Sequence, residues 1–254
     1  MTETKTIFTI ALFLLCGTFA TAQTKIIAHR GYWDSKGSAQ NSIEALKRAA
    51  SEKVYGSEFD VSITSDGMLV VNHDSTIEGI EIETSPYSSI KDIKLSNGET
   101  LPTLKDYLTE GKKHKEMKLI LEIKPHKNNI NEDRAVKAVT DIVREMKMGK
   151  QVEYISFSKN ICCQLRSIDK KASIAYLKGD LSPIEVKEFG CSGIDYQYSV
   201  LNKNTEWIKQ AKDNNLTINV WTVNKEEDIN DLISKGVDFI TTNNPVRALE
   251  LTKK

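Results

Sequence analysis

The chain has no excess of either charge: its 254 residues carry 35 lysines and arginines against 35 aspartates and glutamates. A balanced protein has no electrostatic footprint for nucleic acid, and no polybasic run marks a lipid surface, so any phosphate affinity must be local. Cysteine is scarce. Four are present, at 16, 162, 163 and 191, and none stands in a Cys-x-x-Cys or Cys/His spacing that suggests zinc. Beyond Cys16 the remaining three are an odd set that builds no disulfide framework, and the adjacent Cys162 and Cys163 read as small buried hydrophobes in a helical stretch. No glycine-rich loop follows a strand-like run, which removes the dinucleotide and P-loop phosphate cradles. Long hydrophobic runs are missing but for one, Ile7 to Phe19, which is short for a membrane span. With Lys5 before it and Ala20-Thr21-Ala22 after it, this run reads as a signal peptide over residues 1–22. Gln23 becomes the expected mature N-terminus of an exported protein, periplasmic or secreted, with no stable membrane anchor after cleavage.

What is present is a regular alternation. A first β-rich run at 26–29 precedes a helical pattern over 41–53, with Ile43, Leu46, Ala49 and Ala50 on one face. A second run at 58–64 meets Asp66-Gly67, a hairpin signal, so 68–73 reads as a returning arm. The polar segment 75–100 has weak periodicity and reads as an insertion over the mouth of the fold; Pro102 then opens a helix. From there strands are expected over 119–124, 154–157, 174–177, 193–196, 218–222 and 239–242. Helices are expected over 133–147, 160–168, 183–189, 205–214 and 225–235, with a last one from Pro245 capped by Asn243 or Asn244. Setting the returning arm aside, eight β/α units remain in about 230 residues, which suits a single (β/α)₈ barrel with a small insertion after its second strand. An open doubly wound sheet is the runner-up, without a glycine-rich loop to support it.

In such a barrel the active site lies at the carboxyl ends of the strands. Two of only four histidines, His29 and His73, fall there, as do Glu58, Asp60 and Glu122. Glu58 and Asp60 are two apart and share one strand face, while Phe59 and Val61 point the other way. Carboxylates this crowded need a positive partner between them, and three of them with water suit a hard cation, Ca²⁺ or Mg²⁺. The competing reading is a structural ion-pair network with Arg30 and Lys124. Paired imidazoles can act as base and acid in one displacement. Arg30 has a guanidinium suited to phosphate oxygens, Lys124 shares the face of Glu122, and Trp221 offers either an apolar substrate wall or core packing. Tyr32, Trp33, Phe157, Tyr196 and Tyr198 are further candidates for the mouth, and His114 and His126 read as solvated.

These residues sit in short motifs: His29-Arg30-Gly31, Glu58-Phe59-Asp60 with Asp66-Gly67, Val70-Val71-Asn72-His73-Asp74, Leu101-Pro102-Thr103-Leu104, Glu122-Ile123-Lys124, Trp221-Thr222-Val223-Asn224 and Gly236-Val237-Asp238. In this order they resemble the glycerophosphodiester phosphodiesterase family over nearly all of the mature sequence. The resemblance implies a (β/α)₈ barrel with an insertion after the second strand, Glu58, Asp60 and Glu122 as metal ligands, His29 and His73 as the acid/base pair, and Arg30 and Lys124 as phosphate contacts. It implies hydrolysis of a small-molecule glycerophosphodiester to glycerol 3-phosphate and an alcohol. One departure is Ala39-Gln40-Asn41, where many members carry Pro-Glu-Asn; Gln40 keeps hydrogen bonding but loses the charge. Two alternatives stay open: the same chemistry on a lysophospholipid, sphingolipid or phosphoinositide, and a non-catalytic binder of phosphate ligands.

Overall fold

A computed structural model describes residues 23–253; the expected signal peptide therefore lies outside the described residues. Along the chain, β1 (Lys25–Ala28) leads to α1 (Ile43–Ser51), and β2 (Gly56–Ile63) turns back as β3 (Leu69–Val71). A ribbon of β4 (Thr76–Ile77) and β5 (Ile80–Glu81) and a 3₁₀ turn at Tyr87–Ser89 precede α2 (Leu104–Gly111). There follow β6 (Lys118–Ile123), α3 (Asn129–Glu145), β7 (Val152–Ser156), α4 (Lys159–Ile168), β8 (Ile174–Tyr176), α5 (Pro183–Glu188) and β9 (Gly193–Gln197). The chain ends with α6 (Tyr198–Lys203), α7 (Trp207–Asp213), β10 (Thr217–Trp221), α8 (Glu226–Lys235), β11 (Phe239–Thr242) and α9 (Pro245–Leu251).

Eight parallel strands close into a barrel in the order β1-β2-β6-β7-β8-β9-β10-β11, with β1 paired to both β2 and β11. This is the (β/α)₈ architecture expected from the alternation. Strand pleating sorts the side chains into two cores. Outward residues such as Phe59, Val61, Leu119 and Leu121 join the helices in the larger one, where Phe59 stacks on Tyr107 at 4.3 Å. Inward residues Ile27, Ile120, Ile155 and Leu177 fill the barrel below its mouth. At the amino-terminal end of the strands the interior is closed by polar groups that satisfy one another. Tyr55 donates its hydroxyl to Glu153 at 2.7 Å, Lys118 lies 3.5 Å from Glu153, and the Lys25 ammonium stands over the Tyr55 ring, itself 4.7 Å from Phe239.

Helix starts are written in the sequence. Ser42, Thr103, Asn128, Ser158 and Ser182 each accept a first-turn backbone N–H, and Thr103 with Asp106 and Ser182 with Glu185 complete capping boxes. Such caps contribute about 1 kcal/mol each. Pro102 stands just outside α2, before its cap. The expected cap of α9 is different: the side chain of Asn244 makes no capping bond, Thr242 Oγ1 accepts the Asn244 N–H, and Asn243 turns toward the barrel mouth. The helix expected over 205–214 starts at Trp207, and α6 was not expected because it follows β9 with no turn signal between them.

The returning arm is β3, antiparallel to β2 with Val61 opposite Val71. Gly67, at φ 90, makes the turn that Thr64 and Asp66 brace with a 2.6 Å hydrogen bond. The arm descends until the Asn72 N–H donates to the Asp60 carbonyl, which brings His73 to the height of Asp60. The insertion that follows has a small core of its own, Val70, Ile82, Ile90 and Leu101. It stands on the rim, where Glu99 accepts the N–H groups of Ile43 and Glu44 and Glu83 accepts that of Lys127.

Candidate active site

Asp60 and Glu122 are register partners on adjacent strands, and Glu58 is one pleat below Asp60. The strand geometry therefore packs three carboxylates together, with an oxygen of each within 4.8 Å of the others. All three are buried. Lys124 Nζ lies 3.1 Å from Asp60 Oδ1 and 2.9 Å from Glu122 Oε1, and Arg30 Nε is 3.7 Å from Asp60 Oδ2. The turn after β1 adds backbone donors: Arg30 N–H reaches Glu58 Oε2 at 2.8 Å and Gly31 N–H reaches the Glu58 carbonyl. Arg30 and Gly31 are both left-handed, at φ 54 and 76, and a side chain on Gly31 would meet Ala45 at 2.7 Å. Gly31 thus serves the close approach of α1.

Two cations do not balance three buried acids. Burial, then the charges of Asp60 and Glu122, hold Glu58 well above the usual carboxylate range. Burial, then Asp60, push Glu122 up to about 8. Burial pushes Asp60 upward as well, but Lys124, the Asn41 amide, His73 and Arg30 outweigh it and leave Asp60 below its ordinary value. The Asn41 amide donates to Asp60 Oδ2 at 2.9 Å from a left-handed backbone at φ 61. A trio in which two members resist ionisation is what a hard oxygen-seeking dication would relieve, so the residues fit such an ion.

His29 follows β1, its N–H bonded to the Thr242 carbonyl. Its Nδ1 lies 2.8 Å from Asn243 Oδ1, and the Trp33 indole N–H donates to the same oxygen at 3.3 Å. An indole N–H only donates, so the amide must present its oxygen, and His29 must carry its proton on Nδ1. Burial, the largest influence, lowers the His29 pKa to about 4, against the pull of Asn243, so the ring is neutral near pH 7 with its lone pair on Nε2. His73 is half-exposed, and its Nδ1 is 2.7 Å from Asp74 Oδ1.

The mouth encloses a cavity of about 160 Å³. Its charged side is His29, Arg30, Glu58, Asp60, His73 and Glu122; its other side is Ile155, Phe157, Leu177 and Trp221, with Asp195 among them. Trp221 lines this space, its indole N–H bonded to the Asp195 carbonyl and its ring edge-on to Phe157 at 5.6 Å. A larger groove of about 1010 Å³ between α3 and α4 contains none of these residues. Several sequence candidates lie elsewhere. Tyr196 points outward, donating to the Leu181 carbonyl, and Tyr198 and Tyr32 pack on the outer core. His126 is not solvated: its Nε2 accepts the Ile63 N–H and ties β2 to the loop after β6. Gln40 accepts from Arg30 at 2.6 Å, so the residue that departs from Pro-Glu-Asn touches Arg30 without carrying a charge.

Residues 29–247 match the glycerophosphoryl diester phosphodiesterase family. The chain belongs to that family. A crystal structure of a glycerophosphodiester phosphodiesterase from Parabacteroides distasonis is 44% identical, superimposes with a TM-score of 0.90, and covers 91% of this chain and 97% of its own. The glycerophosphodiester phosphodiesterase of Caldanaerobacter subterraneus is 28% identical over 263 residues, 91% of this chain and 99% of the relative. A phosphodiesterase of Oleispira antarctica, solved with the product sn-glycerol-3-phosphate, shares the fold at a TM-score of 0.76 and 20% identity, covering 91% of this chain and 98% of that one. The family hydrolyses glycerophosphodiesters, and this chain is one of its enzymes. Sequence reasoning missed three residues in this site: Asn41, Asn243 and Asp195. Asn41 is visible in the sequence only as the start of a helix and as the unchanged residue of Ala39-Gln40-Asn41, Asn243 only as one of two helix-cap candidates, and Asp195 is overshadowed by its neighbour Tyr196.

Proposed function

We propose that the protein cleaves small glycerophosphodiesters to glycerol 3-phosphate and an alcohol, with a divalent cation, Ca²⁺ or Mg²⁺, held by Glu58, Asp60 and Glu122 and with His29 and His73 as the proton-transfer pair. The observation that carries this reading is the buried, charge-unbalanced trio beside a neutral imidazole whose Nε2 is free. When bound, the cation supplies positive charge to a non-bridging phosphoryl oxygen. Arg30 and Lys124 hold the remaining phosphoryl oxygens and stabilise the charge that builds on them. His29 Nε2 takes the proton of the nucleophile, either water, which yields glycerol 3-phosphate directly, or the substrate's own 2-hydroxyl, which yields a cyclic phosphate that water then opens to glycerol 3-phosphate, and Asn243 keeps the ring in the tautomer this requires. His73 delivers a proton to the leaving alkoxide; its Nδ1 is engaged by Asp74, which leaves Nε2 as the transferring atom.

Cavity size favours a soluble diester over a lipid. Pockets for drug-sized ligands run to about 300–1,000 Å³, and 160 Å³ accepts a three-carbon group rather than an acyl chain. No helix among the described residues is long and apolar enough to cross a membrane. The leader reading adds the proposal that the enzyme is exported and starts at Gln23, which N-terminal sequencing of the mature protein checks. The function is tested by glycerol 3-phosphate release from glycerophosphocholine, glycerophosphoethanolamine, glycerophosphoglycerol and glycerophosphoinositol, each with Ca²⁺, Mg²⁺ or EDTA. Cation-dependent release is expected; release that persists in EDTA would remove the cation from the reading, and release from none of the four would remove the substrate class.

A further inference from the structure

One buried carboxyl at the site has no part in the chemistry above. Asp195 lies on β9, four strands from β2 by either path around the barrel, and so faces Glu58 and Asp60 across the interior. It is 2% exposed, it lines the cavity, and its Oδ1 has no hydrogen-bond partner. Around it the wall is largely apolar, with Ile155, Phe157, Leu177 and Trp221, and Thr222 and Thr241 are the remaining polar residues of the lining. The neighbouring Asn219, its register partner on β10, donates to Thr241 Oγ1 at 2.9 Å, accepts the Val220 N–H and leans its amide toward the Asp195 carboxyl, yet Oδ1 of Asp195 stays without a partner. The Asp195 carbonyl holds the Trp221 indole, so carboxyl and indole are positioned as one unit.

A carboxyl is not needed to fill this space, since Leu177 and Ile155 fill equivalent inward positions with hydrocarbon. Buried polar groups normally find partners, and one left open beside a ligand cavity marks a place for a donor on the ligand. A diester whose phosphate lies against Arg30 beside the carboxylate trio has room in the same cavity to extend one arm toward β9. An arm that meets these largely apolar walls and an unpartnered buried carboxyl oxygen among them is a short polyol, with its carbon faces against Trp221 and Phe157 and a hydroxyl at the end.

We propose that Asp195 hydrogen-bonds the terminal hydroxyl of the substrate's glycerol moiety and thereby selects glycerol diesters over deoxy analogues; this rests on the phosphodiesterase reading above. Burial pushes the Asp195 carboxyl up to about 7, against a smaller pull from Asn219, which suits a neutral hydroxyl better than a cationic headgroup. A protonated or ionised carboxyl both accept from a hydroxyl, so recognition does not depend on one protonation state.

The test compares glycerophosphocholine with its analogue lacking the terminal hydroxyl; the 2-hydroxyl is kept because it is a candidate nucleophile. Wild-type enzyme should use the analogue at least about 100-fold less well in kcat/KM, since a site built around a hydroxyl rejects substrates without it. Equal use by the wild type overturns the proposal and requires no variant. Asp195→Leu should lose about 100-fold on glycerophosphocholine, mostly through KM, and match wild type on the analogue. Asp195→Asn, which keeps an acceptor, should recover most of the loss. A Leu variant that falls equally on both substrates has a merely structural residue at 195, and one that loses only the choline headgroup preference has a cation contact; either overturns the assignment. Failure of the parent reading is separate, because wild-type enzyme would then release no glycerol 3-phosphate from any diester.

Discussion

The two ends of the barrel interior are built from similar residues and do opposite things. At the amino-terminal end, Lys25, Lys118, Tyr55 and Glu153 close on one another, and the acid there has both a hydroxyl donor and a lysine. At the carboxyl-terminal end, Glu58, Asp60 and Glu122 outnumber the cations beside them, and burial keeps two of the three reluctant to ionise. A polar cluster that completes itself is a plug; one that needs a further charge is a site. Both ends hold ionisable groups at strand termini and an excess of one sign, but the lysines at the amino-terminal end reach solvent whereas the three acids are buried, so burial of the excess charge separates the ends rather than composition.

The comparison can be broken most forcefully at the histidines. His29→Ala and His73→Ala should each lower turnover by about 10²–10⁴-fold, the usual yield of a positioned proton-transfer group, with circular dichroism unchanged. Near-wild-type turnover in both would strip the upper end of its acid/base role. Cation removal comes next. EDTA should abolish turnover, and adding Ca²⁺ or Mg²⁺ back at about 100 times its dissociation constant should stabilise the fold by about 2.7 kcal/mol. The pH dependence of the stripped protein has a definite sign. Glu122 has a folded pKa near 8, above its unfolded value, so the stability it contributes is complete below the unfolded value and is lost as pH rises toward 8. Glu58 acts in the same direction, and the depressed His29 acts oppositely only as pH falls from about 6.5 to about 4. Between pH 6.5 and 8 the melting temperature without cation should therefore fall, and Glu122→Gln should flatten that fall; a temperature that rises over this window contradicts the charge-imbalance account.

Asn243→Ala should have a smaller effect, about 10- to 100-fold in kcat, because it misorients His29 without removing it. An unchanged kcat would mean that the ring holds its tautomer by other means. The smallest effect is expected at the plug: Tyr55→Phe should leave kcat/KM unaltered and cost about 1 kcal/mol of stability by denaturant unfolding. A drop in activity there would erase the distinction between the two ends.

Much of this site was readable because its determinants are local. Alternation put Glu58 and Asp60 on one face, and the Asp66-Gly67 signal returned the chain so that His73 came level with Asp60. Two further residues of the site lie beyond local signals for different reasons. Tyr196 has the aromatic character expected of the mouth but packs outward, and Asp195 beside it lines the cavity, because neighbouring residues on a strand face opposite ways. Aromatic character drew attention to the residue that packs outward, and nothing local to β9 announced its parity. Asn243 shares with Asn244 the position of an expected helix cap, because the residues around them, Thr242 and Pro245, make a good helix start. Its bond to His29 spans 214 positions, a separation over which no periodicity carries information.

By itself, then, the sequence determined the eightfold alternation, the hairpin and the helix caps, along with the residue types able to hold a cation and move protons. These follow from pleat parity, turn chemistry and side-chain valence, which act over a few residues. Tertiary structure alone decided that β1 meets β11, which brings Asn243 to His29 and fixes its tautomer, and that β9 stands opposite β2, which sets Asp195 across the cavity from the carboxylate trio. Closure of the barrel is a property of all eight strands together, and the burial that unbalances the acids and lowers the His29 pKa arises only once it closes.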